Sequence, residues 1–141
     1  MKKILIGEDN PDSLEILGLF VTKIGHQAIK ACNSKEAITY AEAEAPDLIF
    51  MDMGLPDVDG VKTTAILKQN PKTSRIPVVA LTAWMSELWR EKALKVGIVS
   101  YLLKPVSPQT LNQTIEKFTK GSPNPADNSC LEFIESYWSG K

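Results

Sequence analysis

Five polar residues of this chain stand at one kind of place, just past the end of a short apolar run. Glu8 and Asp9 follow Ile4-Leu5-Ile6, Asp52 follows Leu48-Ile49-Phe50-Met51, Thr82 follows Val78-Val79-Ala80-Leu81, and Lys104 follows Leu102-Leu103. Carboxylates, a hydroxyl and an ammonium are the groups needed to receive and hold a phosphoryl group. A carboxylate can attack phosphorus to give an acyl phosphate. The charge on the transferring oxygens then calls for a cation and a hydroxyl donor, which Lys104 and Thr82 offer. Three carboxylates gathered together repel and need counter-charge. Lys104 supplies one such charge, and a divalent metal supplies a better one. Mg²⁺ takes oxygen ligands and keeps several waters, which suits one or two carboxylates plus a phosphate. Taken singly, each residue reads equally well as a turn or cap. Their joint placement argues for a site.

The elements that must position them can be read in order. Ile4 to Ile6, His26 to Cys32, Asp47 to Asp52, Ile76 to Leu81 and Ser100 to Leu103 read as strands, the second of them at an edge. Between them run helical stretches. The first opens at Pro11 and Asp12, buries Leu14, Leu17, Val21 and Ile24, and ends at Gly25. The second is capped by Ser34 and stopped by Pro46, and the third spans Val61 to Gln69. The fourth, capped by Ser86, buries Trp89, Ala93 and Val96. The fifth starts at Ser107-Pro108, buries Leu111, Ile115 and Phe118, and ends at Gly121. Strands alternating with helices imply a parallel sheet covered on both faces and joined by right-handed crossovers. In such a sheet, ligands gather outside the carboxyl ends of the strands, where the five polar residues emerge.

The whole chain has 141 residues, 43% of them hydrophobic, and a formal net charge of -1. That length suits one domain. Near-neutrality gives no electrostatic reason to expect nucleic acid. The first apolar run stops at Gly7-Glu8-Asp9, too early for a signal segment or a membrane span, so a soluble, cytoplasmic protein is expected. Cys32 and Cys130 lack the number and spacing of a disulfide framework or a zinc site, and read as incidental or buried thiols. His26, the single histidine, reads as a solvated turn residue. Residues 122–129 have the composition of a linker, and Leu131, Phe133, Ile134, Tyr137 and Trp138 make a short apolar tail. The expected division is residues 1–121 as the working domain and 122–141 as linker and tail.

Glu8-Asp9, Met51-Asp52 with Leu55-Pro56 and Asp59-Gly60, Leu81-Thr82-Ala83 and Leu103-Lys104-Pro105 together resemble the response-regulator receiver domain of two-component signalling. The likeness runs from about Lys2 to Lys120 and is most similar to stand-alone receivers of the chemotaxis and cell-cycle kind. It implies a doubly wound, flavodoxin-like α/β fold with five parallel strands in the order 2-1-3-4-5 and five helices. It implies that Asp52 accepts a phosphoryl group from a phosphohistidine of a sensor histidine kinase or phosphotransfer protein. By the same resemblance, Asp9, Asp52 and the main-chain carbonyl of Gly54 hold Mg²⁺, with Glu8 acting largely through water. Thr82 and Lys104 contact the phosphoryl oxygens, and Lys104-Pro105 is a cis peptide. Thr82 and Tyr101 form the switch: Thr82 moves toward the phosphate and Tyr101 rotates inward.

The resemblance also places an output face on the last two helices and fifth strand, where Trp84, Leu88 and Tyr101 would meet a downstream effector or, after phosphorylation, a second copy. It implies a phosphoacceptor with at most slow autodephosphorylation, and no enzyme with turnover. Gly7 departs from the family's β-branched residue, which should loosen the end of the first strand. Gly54 and Trp84 depart where relatives tune phosphate loss, and suggest a long-lived phosphoryl group. A phosphotransfer or pseudo-receiver module of a larger hybrid protein is the alternative. A phosphatase of the haloacid dehalogenase type is disfavoured, because it wants a second acid two residues after the nucleophile, where Gly54 stands.

Overall fold

The computed structural model describes residues 1–54, 59–83 and 87–119. Five strands are separated by five helices: β1 (Lys3–Gly7), α1 (Pro11–Ile24), β2 (Gln27–Ala31), α2 (Ser34–Glu44), β3 (Leu48–Asp52), α3 (Gly60–Gln69), β4 (Val78–Thr82), α4 (Glu87–Val96), β5 (Ile98–Leu103) and α5 (Pro108–Thr119). All strand pairs are parallel, in the order β2-β1-β3-β4-β5. This is the expected doubly wound sheet.

Alternation along the strands divides the core in two. Ile4, Ile6, Leu48, Phe50, Val79, Leu81 and Leu102 face one side, where Leu17 and Val21 of α1 and Leu111 and Ile115 of α5 cover them. Leu5, Ile49, Met51, Val78, Ala80 and Tyr101 face the other, under Ala37 and Ala41 of α2, Leu67 of α3 and Ala93 of α4. β3 and β4 are buried along their whole length. That is why their sequences read as unbroken apolar runs. Phe50 alone removes enough apolar surface from water to contribute about 2–3 kcal/mol.

The helix boundaries have local causes. Asn10 caps α1, its side-chain oxygen accepting from the Asp12 and Ser13 N–H groups at 2.9 and 3.1 Å. Pro11 then fills the first turn, and Gly25 at φ 108° ends the helix in a left-handed conformation. The cap of α2 is Asn33, accepting from Glu36 N–H at 2.8 Å, and not the expected Ser34. Ser34 lies one residue inside the helix, with its buried hydroxyl 2.6 Å from that of Thr63 on α3. β5 begins two residues before the expected Ser100, and β4 two residues after Ile76.

Gly7 also has a different role from the one expected. A methyl group there would meet Met51 Sδ at 2.9 Å, across the β1–β3 register pair that the two residues form. The missing side chain makes room for a buried thioether, so the strand end is tightly filled and not loosened.

Candidate functional site

β1 and β3 are neighbours in the centre of the sheet, so Glu8 and Asp9 emerge beside Asp52. One oxygen from each of the three carboxylates lies within 4.8 Å of the others. Glu8 is 1% exposed and Asp52 7%, whereas Asp9 faces solvent. The Asn10 cap holds Asp9 at the mouth by fixing where α1 begins. Glu8 N–H donates to the Ala31 carbonyl at 3.0 Å, which anchors the other acid to the end of β2.

Lys104 is brought in from 96 residues away. Its N–H donates to the Thr82 carbonyl at 2.8 Å, tying the end of β5 to that of β4. Its Nζ then donates to Glu8 Oε1 at 2.8 Å and lies 3.2 Å from Asp52 Oδ2. The other Asp52 oxygen accepts from Gly54 N–H at 3.1 Å. Both oxygens of Asp52 are thus engaged, while buried Glu8 Oε2 has no hydrogen-bond partner.

One ammonium among three carboxylates leaves a shortage of positive charge, and the protonation equilibria register it. Burial, then a hydrogen bond to Asp52, push the Glu8 carboxyl up to about 7, against the pull of Lys104. A proton on Glu8 lets it donate to Asp52, so the oxygen left without a partner is that of the ionised form. Asp52 moves the opposite way: burial opposes its ionisation, but hydrogen bonds from Glu8, Gly54 N–H and Lys104 outweigh this and hold it below the usual range. For Lys104, burial disfavours the charged form, but Glu8 and Asp52 together outweigh it and raise the ammonium above its ordinary value. The central carboxylate is therefore the one kept ionised, as a nucleophile must be.

Thr82 ends β4 and is 7% exposed. Tyr101 pairs with Ala80 across the β4–β5 ladder and is 4% exposed, within the cluster that contains Ala93. It therefore offers almost no surface to a partner in this arrangement, contrary to its expected place on the output face. Leu88, 64% exposed on α4, does present a side chain to solvent. Trp84, Leu55-Pro56, Ser86 and the tail lie outside the described residues. Gly54 is exposed, and Lys104-Pro105 is cis as expected.

Two polar residues escaped the sequence reading. Asn10 was signalled by its position before a helix-opening proline. His26, expected to be solvated, is half-buried, and its Nδ1 accepts from Lys2 N–H at 3.1 Å. Cys32 is exposed, with Sγ 3.1 Å from Glu36 Oε1. Among the described residues no helix is long and apolar enough to cross a membrane.

An acid-lined cleft at the carboxyl edge of a 2-1-3-4-5 sheet defines a class, and comparison with known proteins identifies it. The family model for the response regulator receiver domain matches residues 4–116, and the chain belongs to that family. It is 35% identical to Protein PilH of Pseudomonas aeruginosa over 121 residues, covering 86% of this chain and 100% of PilH. It is 32% identical to the polar-differentiation response regulator DivK of Brucella anthropi over 117 residues, covering 83% of this chain and 95% of DivK. Chemotaxis protein CheY4 of Vibrio cholerae shares the fold, with a TM-score of 0.80 at 23% identity over 84% of this chain and 98% of CheY4. The receiver domain of a Pseudomonas aeruginosa sensor histidine kinase, solved with a magnesium ion coordinated in its active-site cleft, has a TM-score of 0.78 at 28% identity. That alignment covers 85% of this chain and 98% of the kinase domain.

Proposed function

We propose that this chain is a phosphorylation-switched response regulator in which Asp52 takes a phosphoryl group from a phosphohistidine of a sensor histidine kinase or phosphotransfer protein. One observation carries the reading: a buried, ionised Asp52 lies 3.2 Å from the Lys104 ammonium and within a cluster of two further acids. In the transfer, an Asp52 oxygen bonds to phosphorus and the phosphorus–nitrogen bond breaks. The imidazole leaves with the electron pair of that bond and takes a proton from solvent. Lys104 then faces the phosphoryl oxygens, and the Thr82 hydroxyl closes from the neighbouring strand.

The cluster fits a hard divalent cation, because every donor is oxygen and buried Glu8 Oε2 lacks a partner. Asp9, Asp52 and the Gly54 carbonyl would hold Mg²⁺, with Glu8 acting through water. When bound, the ion supplies the positive charge that three carboxylates and an incoming phosphoryl group require. The magnesium in the related kinase receiver supports this choice of metal.

The signal leaves through Thr82 and Tyr101. The buried placement of Tyr101 supports an inward arrangement of its ring as one of the two states. The phosphoryl group would then act by holding that arrangement, a shift of population. Leu88 on α4, with Trp84, would contribute to a face for an effector protein or for a phosphorylation-dependent dimer. Residues 1–121 form the receiver in this reading, with 122–141 appended.

Incubation with Mg²⁺ and acetyl phosphate or phosphoramidate, followed by intact mass measurement, tests the reading. One phosphoryl group is expected on the parent and none on Asp52→Ala. An unmodified parent would point to a pseudo-receiver.

A further inference from the structure

The surface where α1 meets α5 carries two concavities, one opening from the acid-lined cleft and one remote from it. One, of about 390 Å³, is floored by Glu8 and Lys104 and extends from them into an apolar wall of Ile16, Leu17 and Phe20 of α1 with Val106. The other, of about 410 Å³, lies at the opposite end of the seam, between Ile24 and His26 and the last turns of α5. On α1, Ile16 and half-buried Phe20 line the first concavity, and Leu19, three residues after Ile16, continues their apolar surface outward, with Ile16 49% and Leu19 51% exposed. Helical residues so spaced form one patch.

Thr119, the last described residue, itself lines the second concavity. The rest of the chain therefore departs from one end of this seam. Eleven residues, 120–130, separate Thr119 from Leu131, where the apolar part of the tail begins. Extended, they span up to about 36 Å. The fourteen residues of α1 rise about 21 Å, so the tail can reach any point along the seam. Leu131, Ile134 and Trp138 recur at three and four residues, and Phe133 and Tyr137 at four, the spacing of an apolar helical face. Five large apolar side chains within eight residues are costly to leave in water.

We infer that residues 131–138 pack in cis along the α1–α5 seam, covering Ile16 and Leu19 and reaching the concavity beside Lys104. PilH, matched over its whole length by 121 residues of this chain, has no room in that alignment for a counterpart of all of this segment. The inference concerns packing alone and stands whether or not Asp52 is phosphorylated.

Cys130 precedes the segment and provides a place for a nitroxide label in the full chain once Cys32, which is exposed, is changed to Ser. Amide resonances of Ile16, Leu19 and Val106 should lose most of their intensity, while those of Leu88 and Leu94 on α4 keep theirs. Ile16→Glu with Leu19→Glu, both at exposed positions, should restore the α1 signals and leave the remaining spectrum folded. Broadening confined to residues next to Thr119, or centred on Leu88 and Leu94, would overturn the inference. So would broadening that arises only between labelled and unlabelled molecules, which would place the tail on a second copy.

Discussion

At the amino-terminal edge of the sheet, Asp47 accepts the Lys3 N–H at 2.8 Å, and the Lys3 carbonyl accepts the Asp47 N–H at 2.8 Å. His26 Nδ1 takes the Lys2 N–H, and Lys68 Nζ donates to the Ile76 carbonyl at 2.7 Å and the Ser74 carbonyl at 3.2 Å. Polar side chains there complete the backbone of strands that have run out of partners. At the carboxyl edge, Glu8, Asp9 and Asp52 cluster with Lys104 as the one ammonium paired to them among the described residues, and a buried oxygen of ionised Glu8 is left over. The same sheet thus has one end where polar groups are satisfied and one where charge is left for an added ligand. Satisfied groups stabilise the fold, whereas uncompensated ones mark where the fold is made to do something.

Removing Lys104 should widen the contrast most. In a chelating buffer, Lys104→Met leaves two buried acids with no ammonium and should cost about 3 kcal/mol in a urea titration. Mg²⁺ should recover part of that loss, and phosphoryl incorporation should fall sharply even so. An unchanged midpoint would mean that the acids do not depend on Lys104.

Glu8 gives the next effect, read against pH. Its folded carboxyl titrates near 7 against an ordinary 4.5, so the folded chain binds the extra proton between those values. Stability from this group is therefore present at low pH, declines as pH rises from 4.5 to about 7, and is flat above. Asp52, shifted down, contributes in the opposite sense and only below its ordinary 3.8. In metal-free protein, Glu8→Gln should abolish the slope between pH 4.5 and 7, and saturating Mg²⁺ should flatten it in the parent. A slope that survives in Glu8→Gln belongs to another group.

The smallest effect lies at the opposite edge. Asp47→Ala removes one acceptor for a strand N–H in an exposed setting and should cost about 1 kcal/mol. Metal affinity and phosphoryl incorporation should stay at parent levels. A change in either would couple the two ends of the sheet and dissolve the distinction between them.

Much of this was legible in the residue order. The apolar runs 48–51 and 78–81 announce doubly buried strands, Gly25 announces the left-handed end of α1, and the polar residue after each run announces the site. The misread positions share a cause: alternatives equal in local chemistry. Asn33 and Ser34 are both good caps, and the choice fell to Thr63, twenty-nine residues away, which drew Ser34 into a buried hydroxyl pair. Gly7 reads locally as a weak strand residue, yet its partner Met51 on the next strand occupies the volume its side chain would have filled. Tyr101 carries a ring suited to either surface or core, and packing against the α4 side settled its burial.

By itself the sequence determined which chemistries were available: carboxylates, a hydroxyl and an ammonium, delivered to one edge by the alternation of strand and helix. Period and turn residues are local properties, so order and spacing sufficed for that. Only the tertiary structure decided that Glu8 is buried against Lys104 and takes up the proton, while Asp52 stays ionised among three donors. Burial and separation set the energy of a charge, and both depend on residues that meet only when the sheet closes.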